Sequence, residues 1–145
     1  ENGSGIDSLA SLPMPNDPNV HPTFHYYDPF VFTHQGASWA GDNPPPPGRT
    51  FPSAQDSAQL AKDVDKIRAY IARTGKTPFM GETGAYDKHI PTADRAAYHL
   101  AVREAFAPTG IGMCVWAYSN TFPFWDRKNV EWLPGMRAAL GLTED

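Results

Sequence analysis

One carboxylate stands between two glycines in residues 78–84, Pro78-Phe79-Met80-Gly81-Glu82-Thr83-Gly84. Phe79 and Met80 favour a short strand, and the glycines that flank Glu82 favour a turn close to the end of that strand. In parallel α/β folds the carboxyl ends of the strands carry the functional side chains. The stretch therefore predicts a strand that presents Glu82 at the functional edge of a sheet.

Two other runs have the composition of a strand. One ends in Phe24-His25-Tyr26-Tyr27-Asp28-Pro29 and should start just after Pro22, which would weaken a central strand. The other is Ile111-Gly112-Met113-Cys114-Val115-Trp116-Ala117-Tyr118. A helical pattern follows each strand, and the order strand, helix, repeated three times, requires parallel pairing. The sequence thus predicts an α/β fold of about three βα units, preceded by a loop.

The three predicted helices have recognisable ends. Ser53 and Asp56 form a capping-box pattern, and Gly75 marks the end of that helix. The second helix is predicted to be capped by Thr92 and to stop before Pro108, and the third is short. Their predicted inward faces are Leu60, Val64, Ile67 and Ile71; Ala97, Tyr98, Ala101, Val102, Ala105 and Phe106; and Leu133, Met136 and Leu140.

Two segments are predicted to be loops. Residues 2–19 are rich in Ser, Gly, Pro, Asn and Asp and should hold at most one short helical turn. Residues 28–51 form a long connection with several aromatic side chains and the run Pro44-Pro45-Pro46-Pro47, which favours a stiff polyproline II path. Because long ordered loops in compact folds are usually functional, we expect this one to border the site.

The three strand-like runs, in this order and at this spacing, resemble the last three strands of glycoside hydrolase family 5, the cellulase and endoglucanase family. The resemblance extends from about Gly5 to Leu142. It implies that residues 1–145 are a partial catalytic domain, the C-terminal portion of a (β/α)8 TIM barrel, with strands six to eight and their helices. The implied activity is hydrolysis of O-glycosidic bonds in β-glucans with retention of configuration.

The resemblance assigns three catalytic roles. Glu82 is implied to be the nucleophile, His25 to contact the sugar, and Tyr27 to hydrogen-bond the nucleophile. His25 and Tyr27 are two residues apart, so on a strand they point to the same face. A phenol that donates to the carboxylate would hold its charge and orientation, at about 1.5–3 kcal/mol. A surface glutamate beside an ordinary aromatic strand is the alternative.

Aromatic residues are the predicted sugar contacts. Trp116 matches the tryptophan of the family's eighth strand, which stacks on the sugar beside the bond that breaks, although core filling is an equal alternative. Flat indoles suit the apolar faces of pyranose rings. His34 and Gln35 could hydrogen-bond sugar hydroxyls, but such a pair more often only fastens a long loop. Further predicted substrate contacts on loops after strands are Trp39, Tyr86, Phe122 and Trp125.

The second carboxylate of the reaction is missing from the motifs. Retaining glycosidases use two carboxyl groups about 5 Å apart, and in this family the acid/base glutamate follows an asparagine. The sequence contains no Asn-Glu pair, and 145 residues are fewer than the roughly 250 of a closed barrel. We therefore expect a C-terminal fragment with little turnover by itself, a view that its start at Glu1 supports. Its open sheet edges would need the N-terminal half of the barrel or self-association.

Composition excludes several other classes. The chain has 12 basic and 16 acidic residues without a basic cluster, so nucleic-acid binding is not expected. No apolar run is long enough to span a bilayer, and we expect no membrane contact. A single cysteine, Cys114, excludes an internal disulfide, and its apolar surroundings predict a buried, inert thiol. By resemblance alone, the protein would be secreted or periplasmic.

Motifs of other chemistries fail on inspection, and neither a metal nor a cofactor is expected. Gly75-Lys76-Thr77 leaves a helix rather than opening one, which argues against a phosphate-binding loop. His21 and His25 lie in a strand-like run, not on one helical face, which argues against zinc. Two alternatives to the enzyme remain at this point: a non-catalytic carbohydrate-binding or structural fragment, and an unrelated α/β domain.

Overall fold

The computed structural model describes residues 4–142. Its central element is a parallel pair of strands, β1 (Thr23–Tyr26) and β2 (Phe79–Thr83). On the other side of β2 the chain returns in parallel, with an isolated bridge between Met80 and Met113. Backbone hydrogen bonds extend this contact from Cys114 N to Met80 O at 2.8 Å and from Trp116 N to Thr83 O at 2.8 Å. All three predicted strand segments thus lie side by side and run in the same direction.

The prediction of a regular third strand over 111–118 is wrong in extent. Cys114 N donates to Met80 O, but Trp116 N donates to Thr83 O, so two residues along this segment correspond to three along β2. An extra residue in one strand interrupts the ladder and bends it. Beyond the bridge at Met113, the segment therefore follows β2 without being a strand.

The longest helix, α2 (Ala54–Thr74), has the predicted ends. The Ser53 hydroxyl accepts a hydrogen bond from Asp56 N at 3.2 Å, and Asp56 Oδ2 accepts one from Ser53 N at 2.8 Å, which is the predicted capping box. Gly75 has φ +67°, a left-handed conformation that favours glycine after a helix. Together these contacts satisfy backbone groups that a helix leaves free at its ends.

The other helices differ from prediction at their ends. Helix α3 (Thr92–Phe106) starts at Thr92, so Pro91 occupies the capping position and Thr92 does not cap it. The third predicted helix is only α4 (Met136–Ala139), because Gly135 with φ +77° breaks the chain direction just before it. Leu133 therefore lies outside the helix. A short helix α1 (Phe30–Thr33), two 3₁₀ helices (Ile6–Ala10 and Ala107–Thr109) and a hairpin of β3 (Trp125–Asp126) and β4 (Glu131–Trp132) complete the described elements.

The main core lies between the sheet and helices α2 and α3. Phe24, Tyr26 and Met80 are at most 1% exposed on the helix-facing side of the sheet, and Phe106 packs against the first two rings. Tyr26 also donates a hydrogen bond to Asp63 on α2 at 3.1 Å. Several predicted inward residues of the helices are buried there, namely Leu60, Val64, Ile67, Tyr98, Val102 and Phe106, while Ile71 is only half-buried.

The opposite side of the sheet is open. Phe79 is 41% exposed and Trp116 is 47% exposed, and Thr23 is also exposed. The prediction of a buried thiol at Cys114 is wrong, since the cysteine is exposed on this side. Side chains of residues 111–118 alternate between half-buried and exposed, and nothing in residues 4–142 covers the exposed set. The apolar composition of this segment could not show that only one of its sides packs against the rest of the chain.

The long connection is ordered by one buried amide. Gln35 is 1% exposed, and its Oε1 accepts hydrogen bonds from Gly48 N at 2.7 Å and Arg49 N at 3.1 Å. Its Nε2 donates to Arg49 O at 2.9 Å. Gln35 therefore fastens the loop across the proline run, the plainer of its two predicted roles. Within residues 4–142, none of the helices combines the length and the apolar character that a membrane span requires.

Candidate active site

The site is built around one extra residue in β2. Phe24 pairs with Met80, but the next residue, His25, pairs with Glu82 and not with Gly81. A side chain at Gly81 would collide with the Thr23 hydroxyl, 2.5 Å from an ideal Cβ. A larger residue at position 81 would therefore require the Thr23 side chain to shift, and the bulge brings Glu82 level with His25 on the open side of the sheet.

Tyr27 and His25 both contact Glu82. Tyr27 Oη donates a hydrogen bond to Glu82 Oε2 at 2.9 Å, and His25 Nδ1 lies 3.3 Å from the same oxygen. About 30% of the Glu82 side chain and 29% of the His25 side chain remain exposed. The structure thus brings together all three residues that the sequence nominated as catalytic, at the carboxyl ends of two parallel strands, and leaves the carboxylate accessible.

The contact keeps Tyr27 as a donor. Burial, and then the hydrogen bond and charge of Glu82, raise the pKa of the Tyr27 phenol well above its usual range. A phenol that stays protonated has a hydrogen to donate, and a carboxylate can only accept, so the direction of this hydrogen bond is fixed. Glu82 is thereby oriented by one fixed donor while part of it faces solvent, which suits an oxygen that attacks a substrate.

A ring cluster supports Tyr27 from behind. His34 packs edge-on against Tyr27, with ring centroids 5.1 Å apart, and stacks on Phe30 at 4.1 Å. Phe122, which is 5% exposed, contacts both Tyr27 and His34. Burial lowers the pKa of His34 to about 4, so its ring is neutral near pH 7. Thr33 links the group by donating to Tyr27 O at 2.6 Å.

Trp116 lies next to the strand that carries Glu82. Its backbone nitrogen donates to Thr83 O, and its carbonyl oxygen packs so close to Gly84 that a Cβ there would be 2.2 Å away. The peptide bond between Trp116 and Ala117 is cis. The indole is 47% exposed, so among residues 4–142 it is not buried as a core residue. Within residues 4–142, Trp116 therefore does not fill a core.

The remaining predicted sugar contacts fall into two groups. Trp39 is 53% exposed and packs edge-on against Tyr86 with centroids 4.5 Å apart, while Tyr86 is itself only 8% exposed. Tyr86 thus supports Trp39 more than it faces solvent. Trp125 lies elsewhere, on the hairpin, where it contacts Tyr118 and Trp132. Sequence reasoning missed these last two as neighbours of Trp125, because only the hairpin brings them together.

Two cavities of the molecule lie apart from Glu82. Two cavities of about 300 and 310 Å³ lie beside helix α2, one near Asp28 and Arg49 and the other near Ile6 and Tyr70. Glu82 lines neither of them. Among the residues described, no group of three or more His, Cys, Asp or Glu side chains is placed to hold a metal ion. Among residues 4–142, the open face presents the oriented carboxylate of Glu82 with aromatic neighbours.

A parallel sheet with such a carboxylate at its carboxyl edge is the architecture of barrel-type glycoside hydrolases. The model of the cellulase family, glycosyl hydrolase family 5, matches residues 2–122, and the chain belongs to this family. This confirms the family and excludes an unrelated α/β domain.

Curated relatives show what share of a family member the chain spans. Cellodextrinase A of Ruminococcus flavefaciens is 28% identical over 109 residues, which are 74% of this chain and 32% of the relative. Endoglucanase H of Acetivibrio thermocellus is 26% identical over 113 residues, 78% of this chain and 11% of the relative. The chain therefore spans about a third or less of these curated relatives.

A solved structure extends the comparison. Cel5A of Thermotoga maritima, in complex with cellobiose, is 27% identical with a TM-score of 0.86, covering 94% of this chain and 44% of the enzyme. The same enzyme in complex with mannotriose is 28% identical with the same TM-score. The predicted fold class is confirmed, since the chain is a part of a TIM barrel. The individual roles of Glu82, Tyr27, His25 and Trp116 stay predictions.

Proposed function

We propose that this chain carries the nucleophile half of a retaining β-glycanase active site. Glu82 attacks the anomeric carbon of a β-1,4-linked glucan or of a related mannan or xyloglucan. Tyr27 orients the attacking carboxylate, and His25 and Trp116 hold the sugar in the adjoining subsite. The supporting observation is the shared contact of Tyr27 Oη and His25 Nδ1 with Glu82 Oε2, at 2.9 and 3.3 Å.

The relatives support the substrate class. Solved structures of Cel5A of Thermotoga maritima hold cellobiose in one case and mannotriose in another, so both sugar types are candidates for this site. The chain aligns with less than half of that enzyme. We therefore propose that turnover requires further strands, supplied by the N-terminal half of the barrel or through self-association. A location outside the cytoplasm stays a prediction.

The missing step determines the test. Glu82 cannot both attack the anomeric carbon and protonate the leaving oxygen, and a natural leaving group needs that proton. A good leaving group departs without it. The probe is therefore a 2-deoxy-2-fluoro-cellobioside whose leaving group is dinitrophenolate. A Glu82 oxygen forms the new bond to the anomeric carbon, and dinitrophenolate leaves with the electron pair of the broken bond.

The experiment is an intact-mass measurement after incubation, followed by peptide mapping. We expect one covalent sugar per chain at Glu82, and none in Glu82→Gln. Glu131→Gln, which changes an exposed carboxylate on β4, is the matched control and should label like the unchanged chain. Absence of label, or label at other carboxylates, would contradict the nucleophile role.

Hydrolysis of a natural glucan by the chain alone tests the second part of the proposal. We expect little or no turnover. Robust hydrolysis that depends on Glu82 would mean that the acid/base group is present after all. If Glu82→Gln leaves both glycan binding and all other behaviour unchanged, the chain acts as a carbohydrate-binding or structural fragment, which is the alternative function.

A further inference from the structure

Three aromatic side chains form a second exposed group, which we call the hairpin aromatic cluster: Tyr118, Trp125 and Trp132. Tyr118 and Trp125 are nearly parallel, with centroids 5.8 Å apart and planes 15° apart. Trp132 stands perpendicular to both, at 6.4 Å from Tyr118 and 5.8 Å from Trp125. Tyr118 is 58% exposed despite these contacts, and both indoles are half-buried. The three rings thus form an accessible aromatic surface.

The backbone holds the cluster in place. Trp125 pairs with Trp132 across the β3–β4 hairpin, and Tyr118 O accepts hydrogen bonds from Phe124 N and Trp125 N, each at 3.0 Å. Asp126 closes the hairpin turn by accepting from Lys128 N at 2.8 Å and Asn129 N at 3.2 Å. Because the rings are pre-positioned, a ligand would not have to order them on binding.

The cluster lies two residues along the chain from Trp116 of the candidate active site. Trp116 N is bonded to Thr83 O, one residue after Glu82, and Tyr118 is two residues further along the chain. Two residues span at most about 7 Å. Trp116 and Tyr118 are both exposed, so a chain of sugars that leaves the Trp116 subsite has an aromatic surface within one short step.

We propose that the hairpin aromatic cluster is an additional binding subsite for a β-linked glycan chain, at which a pyranose ring stacks on Tyr118 over the surface that Trp125 and Trp132 support. This inference rests on the proposed function. A sugar offers both an apolar face and a rim of hydroxyls, which matches rings that carry a phenol and indole N–H groups at their edges. The subsite extends the binding site away from Glu82, so it acts on long chains and not on short ones.

The test compares the affinities of gluco-oligosaccharides of two and six units, measured by titration calorimetry on the 145-residue chain. We expect Tyr118→Ala to weaken binding of the longer sugar by about three- to tenfold and to leave the shorter one unchanged. Tyr118→Phe keeps the ring and should restore the affinity. Val130→Ala, which trims an exposed side chain on the same hairpin, is the matched control and should have no effect. Circular dichroism establishes that each variant is folded.

Each other outcome contradicts the proposal. Equal affinities of Tyr118→Ala and the unchanged chain for the longer sugar would exclude the subsite. A change in sedimentation without a change in sugar affinity would assign the cluster to contacts between copies or with other barrel strands. Covalent labelling of Glu82 can succeed in either case, so this inference can fail while the proposed function stands. Binding of neither sugar would overturn both.

Discussion

The two sides of the sheet differ in how far other parts of the chain cover them. On the helix side, Phe24, Tyr26 and Met80 are covered by α2 and α3 and are almost completely buried. On the open side, Phe79 and Trp116 are more than two-fifths exposed, and the candidate nucleophile lies among them. The chain thus has its core on one side of the sheet and its candidate catalytic residues on the other. The chemistry, but not the core, then depends on what else meets the open side.

A pair of identical substitutions gives the largest expected contrast. Phe106→Ala removes a ring that is 2% exposed and packs against Phe24 and Tyr26, so we expect a loss of about 3–5 kcal/mol in the free energy of unfolding. Phe79→Ala on the open side should cost about 1 kcal/mol or less. Urea unfolding at several protein concentrations measures both. Similar, concentration-dependent losses would show that another copy covers the open side.

The next contrast uses two aspartates of the same helix. Asp63 is buried and accepts from Tyr26 at 3.1 Å and Gln59 at 3.0 Å, and it pairs with Lys66 at 2.7 Å. Asp63→Ala should cost about 2–3 kcal/mol, since it leaves a buried phenol without its acceptor.

Asp65→Ala is the control for that substitution. Asp65 pairs with Arg68 three residues on, but both side chains are more than half exposed, so the change should cost under about 0.5 kcal/mol. The gain in helix propensity is the same in both variants and cancels in the comparison. Thermal unfolding of the two proteins side by side is the measurement, and equal losses of stability would mean that the buried contacts of Asp63 contribute no more than the exposed pair of Asp65.

The free energy of unfolding should fall as the pH is lowered, because His99 is buried on the helix side of the sheet. Burial, and then the charge of Arg95, lower the pKa of His99 to about 3. Between pH 6.5 and about 3 the unfolded chain therefore binds a proton that the folded chain does not, and stability falls as the pH falls. We expect a loss of about 1 kcal/mol from this group between pH 6.5 and 5.5.

His99→Phe should reduce that pH dependence without abolishing it. His34, whose pKa burial lowers to about 4, contributes in the same direction. Urea unfolding of both proteins at the two pH values gives the comparison. An unchanged slope in His99→Phe would mean that other groups cause the acid sensitivity.

The smallest effect on stability belongs to the open side. Cys114→Ser should change the free energy of unfolding by less than about 0.5 kcal/mol, because the thiol is exposed. The same exposure predicts that a thiol reagent modifies Cys114 in the native protein nearly as fast as in urea. Protection that disappears on dilution would instead indicate that copies associate through this side.

The sequence predicted most of what local patterns determine. The capping box at Ser53 and the glycine at position 75 defined α2 at both ends, and the two-residue spacing of His25 and Tyr27 predicted that both side chains lie on one face of the sheet. These features depend on residues close together in the chain or on the period of a strand.

What it did not predict depends on neighbours in space. The buried thiol expected at Cys114 failed because an apolar run does not say which of its sides is covered. Tyr118 and Trp132 became partners of Trp125 only through a hairpin whose strands are two residues long. The third strand lost its regular ladder because of a residue in a different strand, β2.

Gly81 also has a consequence for comparing or redesigning such chains. Side chains of a regular strand change sides at every residue, so a β2 that kept Gly81 but lost the bulge would turn Glu82 toward the helices and Thr83 toward the open side. The side of the sheet that Glu82 faces thus depends on the bulge at Gly81. A design that copies every residue of the motif but builds β2 as a regular strand would therefore point its carboxylate into the core.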